Sequence, residues 1–144
     1  MLPKILIAWC LLALCVAIHA TGLTLGFRWL KRRAEPVEGQ VWPATLLLIA
    51  IAGWTLLLHL IEIAVWAFAY VGFGAMADLT TSIYFSAVTY TTTGYGDLVL
   101  PQDWRLVGAI EALTGILMCG LSTGLFFAVF SKIFRLHDGN ATTN

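Results

Sequence analysis

Ile83-Tyr84-Phe85-Ser86-Ala87-Val88-Thr89-Tyr90-Thr91-Thr92-Thr93-Gly94-Tyr95-Gly96-Asp97 is the stretch on which the fold turns. It lies in a segment, 78–101, that is too polar to cross a membrane and too apolar and aromatic for an ordinary surface loop. Asp78, Thr80 and Thr81 offer helix-capping oxygens, so the sequence predicts a short helix over 79–91 that stops where the glycines begin. Backbone without helical hydrogen bonds survives at membrane depth only where protein buries it or it lines a watery path, because each unsatisfied amide there costs several kcal/mol. The segment therefore reads as re-entrant.

The flanking sequence places that loop in a bilayer. Of 144 residues, 60% are hydrophobic and 11% charged, and the mean hydropathy of +0.87 is well above that of a soluble domain. Three apolar stretches, 5–27, 45–71 and 104–134, each exceed the roughly 20 residues a helix needs to span the hydrocarbon. The first resembles a signal peptide in having Lys4 before it and Ile18-His19-Ala20 near its end. Its apolar core is longer than the about 7–15 residues of a signal sequence, however, and basic residues follow it, as they follow a segment that stays in the membrane.

Charge sets the expected orientation. Arg28, Lys31, Arg32 and Arg33 lie between the first two spans, and Lys132 and Arg135 follow the third, so both regions are expected in the cytoplasm. The segment between the second and third spans carries Asp78, Asp97 and Asp103 against Arg105 and is expected outside, with Lys4 a mild dissent. The N-terminus is then external and the C-terminus cytoplasmic, in a plasma membrane. Asn140-Ala141-Thr142 matches a glycosylation acceptor, but on the cytoplasmic side the match is a coincidence.

Eight basic and eight acidic residues leave no broad basic surface, so nucleic acid is excluded as a partner. Cys10, Cys15 and Cys119 fall within apolar runs without ligand or disulfide spacing and read as packing residues. No span carries arginines at every third position, so a voltage sensor is excluded. No nucleotide-binding, calcium-binding or regulatory domain is read after the third span, so ligand control through this chain is not expected, although a partner could supply it.

The glycine-containing loop has its own chemistry. Stripping water from a potassium ion is tolerable only if comparable oxygens replace it, and a ring of backbone carbonyls from several chains does so. Gly94 and Gly96 present no β-carbon against the dihedrals that turn successive carbonyls to one side. The predicted helix also aims its negative C-terminal end at such an ion.

The quoted stretch resembles the pore helix and signature sequence of potassium channels, in the two-transmembrane pore-loop, bacterial-like form, with an extra N-terminal helix. The resemblance covers about 46–134. It implies an all-α integral membrane protein: three transmembrane helices plus a re-entrant pore helix and filter loop, four copies forming the pore. The expected division is a peripheral helix in 1–30, a cytoplasmic linker in 31–44, a pore domain in 45–134 and a tail in 135–144. Within the pore domain the outer helix is 45–71, the pore helix 79–91, the filter 92–96 and the inner helix 104–134.

Carried over by residue, the carbonyls of Thr92, Thr93, Gly94 and Tyr95 would hold potassium, the Thr92 hydroxyl would close the innermost site, and Gly96 would face the outer mouth. Thr93 stands where valine or isoleucine is more usual, and its carbonyl still serves. Tyr84 and Phe85 occupy positions of filter-bracing aromatics: Tyr84 can donate to Asp97, whereas Phe85 can brace Tyr95 only by packing. Asp97 adds negative charge at the outer mouth. Gly115 and Gly120 match glycines of the inner helix, the first a gating hinge; alternatively they, with Gly124, permit close packing. Phe126 and Phe130 either form a constriction or face lipid. The implied function is passive potassium conduction by a homotetramer, with no enzymatic step and no cofactor beyond the permeant ion.

Three ionisable residues inside spans need partners, because a carboxylate facing lipid is costly. His59 and Glu62 share a helix face, and Glu62 and Glu111 lie at matching depth. The three are expected between the two helices, bonded to one another or to pore-helix hydroxyls such as Ser86 and Thr89. The cluster reads either as a structural clasp or as a proton-sensitive gate. A metal site is set aside for want of a second histidine at ligand spacing.

Overall fold

The computed structural model describes residues 2–33 and 41–139. Its elements are α1 (Leu2–Arg33), α2 (Val41–Gly72), α3 (Leu79–Tyr90), a single 3-10 turn at Gln102–Trp104, and α4 (Arg105–Gly139). No strand occurs among the described residues. Three stretches, Leu2–Trp29, Val41–Gly72 and Gln102–Ser131, are long and apolar enough to cross a membrane, so the chain is an all-α, multi-pass integral membrane protein.

The long helices overrun the boundaries expected from hydropathy. The linker expected over 31–44 is shorter at both ends, because α1 continues through Arg33 and α2 begins at Val41. Pro43 is accommodated in the first turn of α2, where its missing N–H has no helical partner to lose. The core of that linker, 34–40, lies outside the described residues. At the other end α4 continues to Gly139 rather than stopping at 134, since no proline interrupts 135–139 and the first glycine is its last residue. Asn140-Ala141-Thr142 lies outside the described residues.

α1 packs on α2 and α4 of its own chain. Gly22 lets Leu58 approach closely, and the Trp54 indole N–H donates to the Gly22 carbonyl at 2.9 Å. At the other end Lys4 pairs with Asp103 and stands 4.7 Å from the centroid of the Trp104 ring. The start of α1 therefore lies beside the loop that leads into α4, and the residue that dissented from the charge rule has an acidic partner there. Of the cysteines, Cys15 is buried in the core, whereas Cys10 and Cys119 are exposed in the single chain.

α3 is held between α2 and α4. Ser82 and Ser86 donate to the Ala67 and Ile63 carbonyls at 2.8 and 2.9 Å, so two hydroxyls that would be costly in lipid instead fasten α3 to α2. The core draws on every helix: Ala8 and Cys15 from α1, Trp66 and Tyr70 from α2, Phe85 and Tyr90 from α3, Val107 and Met118 from α4. A second apolar cluster, Leu47, Ile51 and Val129, joins the far ends of α2 and α4, and Phe126 packs against it. Phe126 is thus between helices of its own chain, while Phe130 is about half exposed.

Candidate functional site

α3 starts at Asp78, whose extended backbone and side chain cap the helix by accepting the Thr81 amide at 2.8 Å. Those amide bonds hold the Asp78 carboxyl below the usual carboxylate range. The helix ends at Tyr90, and the next amides turn back onto it: Thr91 N–H to Ala87, Thr92 N–H to Thr89 and Gly94 N–H to Val88, at 3.1, 2.9 and 3.2 Å. The Thr91 hydroxyl donates to the Ala87 carbonyl at 2.7 Å and meets the Thr93 hydroxyl at 2.9 Å.

Beyond that turn, every second residue has a positive φ: Thr92 at 59°, Gly94 at 54° and Gly96 at 77°. Glycine takes that region without penalty. A β-branched residue does not, and Thr92 held there stores about 1–3 kcal/mol of strain, of the kind found at functional sites. All of 91–97 is exposed in the single chain, Tyr95 at 71%. Tyr84 donates to Asp97 at 2.7 Å, and Asp97 also accepts the Leu98 amide at 3.0 Å, which fixes the exit of the loop. Phe85 is buried and packs edge-on to Tyr70, ring centroids 5.5 Å apart.

The ionisable residues divide into two networks rather than one. Glu111, fully buried, accepts from Tyr70 at 2.6 Å and lies against the Ser86 hydroxyl, whose one hydrogen is shared between Glu111 and the Ile63 carbonyl. Glu62, also fully buried, accepts from Tyr90 and pairs with His19 Nδ1 at 2.9 Å. His59 Nδ1 meets the Tyr90 hydroxyl at 3.0 Å, and the Nε2 atoms of His19 and His59 both meet Ser122 Oγ, at 3.0 and 3.1 Å. Tyr90, not Thr89, is the α3 residue that reaches Glu62. Glu62 and Glu111 are both fully buried, and each takes a different phenol, Tyr90 and Tyr70, which depth along the helices does not indicate. His19 is a member of the network that depth and spacing did not reveal, and it is the second histidine whose absence argued against a metal: it comes from α1. The available signal was that an ionisable residue inside a span faces protein.

On α4, Gly115 sits against the end of α3, where a β-carbon would overlap the Tyr90 carbonyl oxygen. Gly120 and Gly124 have nothing within 4 Å of such an atom. Close packing is therefore the structural role of Gly115 within the chain.

Three spans, with a capped short helix and a glycine loop folded between the second and third, define a multi-pass membrane protein with a re-entrant loop. A family model described as ion channel matches residues 45–132. The chain belongs to that ion-channel family, the match running from the first turns of α2 through α3 and the loop and along most of α4, leaving α1 aside. No match was found among curated proteins or solved structures.

Proposed function

We propose that the chain is one of four identical subunits of a potassium-selective channel whose filter is the backbone of 92–96. The observation that carries this reading is the alternation of positive φ at Thr92, Gly94 and Gly96 in a fully exposed segment. With the early loop amides folded back onto α3, carbonyls are left to face away from it. One chain supplies one column of oxygens, and a dehydrated cation needs a ring of them. The carbonyls of Thr92, Thr93, Gly94 and Tyr95 replace the hydration shell, the Thr92 hydroxyl closes the inner end, and Gly96 forms the outer mouth. Conduction is passive and needs no voltage sensor or catalytic group. The loop and N-terminus face outward, and the arginines after α1 and the end of α4 face the cytoplasm. Of the two glycines matched to a hinge, Gly120, with open space around it in the chain, is the position at which the inner helix would bend on opening, while Gly115 is packed against α3.

The test is purified protein in planar bilayers under opposed potassium and sodium gradients. A reversal potential near the potassium equilibrium value is expected; one near zero would replace this reading with a non-selective cation channel. Mass measurement in native lipid is expected to give tetramers, and conducting species that are only monomers or dimers would overturn the subunit count.

Asp97 yields a further expectation. Asp97→Asn removes the charge at the mouth and can keep both contacts, its Oδ1 accepting the Leu98 amide and its Nδ2 donating to the Tyr84 hydroxyl oxygen. Single-channel conductance should fall at low salt, and the difference from wild type should vanish near 1 M, where the Debye length is about 3 Å. A deficit independent of salt would show that Asp97 acts through structure alone.

A further inference from the structure

Two of the chain's three histidines, His19 on α1 and His59 on α2, meet with ring centroids 5.1 Å apart. With their partners they close a ring of five contacts: Glu62 to His19, His19 to Ser122, Ser122 to His59, His59 to Tyr90, and Tyr90 back to Glu62. Five contacts need five hydrogens. Two neutral imidazoles supply one each, two hydroxyls one each, and an ionised carboxylate none, so the ring holds only four. One contact must then set lone pair against lone pair, among groups of which His19 and Glu62 are wholly buried. The ring lacks one cation.

We propose that this ring is a binding site for a divalent transition metal of the zinc class, with His19, His59 and Glu62 as ligands. One ligand atom from each lies within 4.8 Å of the others, and two imidazoles with a carboxylate are a zinc donor set. Ligand atoms at about 2.0–2.1 Å from a tetrahedral metal stand roughly 3.4 Å apart, so these must draw inward by about 1 Å. His59 is the ligand with freedom to do so: its side chain is 16% exposed, against none for Glu62, and it is also the point of access. Ser122 and Tyr90 remain as outer partners that orient the imidazoles and the carboxylate. Occupancy ties α1 to α2 and, through Tyr90, bears on the end of α3 that leads into the loop. This gives the helix outside the family match a role as the carrier of a regulatory ligand. A single extra proton would balance the hydrogens equally and is the alternative to be separated.

The experiment uses the full chain, purified without a polyhistidine tag and carrying Cys10→Ser, Cys119→Ser and His137→Asn, which remove the other histidine and the surface thiols. Cobalt(II) is titrated as an optical probe and then displaced with zinc. The expected result is one cobalt per chain, with the intense visible absorption of a four-coordinate site, lost on adding zinc. Losing outer partners costs about 10–100-fold in metal affinity, so Glu62→Gln and His59→Gln should each lower it by at least about 100-fold. Zinc should raise the melting temperature of the parent chain and leave that of His59→Gln unchanged. Absence of the cobalt spectrum in the parent chain overturns the proposal without any variant and leaves the proton as the ring's cation. Unchanged affinity in both variants overturns it as well. Binding is read without current, so this outcome and that of the selectivity measurement are independent.

Discussion

Alanine at Gly94 or Gly96 is expected to abolish single-channel potassium current while the helical frame still assembles. At these positions φ is +54° and +77°, and a β-carbon would meet nothing within 4 Å in the single chain. The penalty is therefore conformational, about 1–2 kcal/mol for an L-residue held in the left-handed region. That is too little to unfold a membrane protein whose core draws on four helices. It is enough to favour rotation of the adjoining peptide, which turns a carbonyl away from the ion path in each of four subunits. Electrophysiology paired with size-exclusion profiles separates the two effects: assembly as in wild type, with no detectable current. Either variant conducting at wild-type level would remove the loop from the ion path.

The loop was legible because its chemistry is local. Asp78 three residues before Thr81 is a cap whatever surrounds it, and a helix that runs into Gly94 and Gly96 leaves the loop backbone few alternatives. The long helices were legible from hydropathy, although their ends were not: a hydrophobic run marks what the bilayer covers, and α1, α2 and α4 continue past it. The polar networks were only half legible. Depth along a helix follows from 1.5 Å per residue, so Glu62 and Glu111 could be placed between helices. Their partners depend on how helices are rotated against one another, which one sequence does not specify. Tyr70 and Tyr90 look like ordinary aromatics, yet each delivers its hydroxyl to a different carboxylate. His19 sits on a face of α1 with Ala8, Cys15 and Gly22, all buried. Small residues flanking a lone histidine in a span are the pattern that, read with the cost of a lipid-facing imidazole, would have turned that face inward.

The same α3 terminus also decides between the two roles open to Gly115. As a hinge, the residue serves by bending, and alanine there should alter opening while leaving the resting assembly as stable as before. The geometry favours the other outcome. A β-carbon at Gly115 would overlap the carbonyl oxygen of Tyr90 and crowd the carbonyl carbon at 2.9 Å, and neither atom belongs to a side chain that can swing aside. Tyr90 is further held through its hydroxyl by Glu62 and His59, so α3 cannot retreat without loosening a buried polar network. Overpacking of this kind typically costs about 1–3 kcal/mol, and backbone against backbone belongs at the upper end. Gly115→Ala is therefore expected to lower the melting temperature of the detergent-solubilised assembly by several degrees and to reduce current, because the displaced segment feeds directly into Thr92. Gly120→Ala is the control: with open space around it in the chain, it should melt as wild type does. Equal melting of both variants and wild type, with altered open probability in Gly115→Ala alone, would instead assign Gly115 to the hinge.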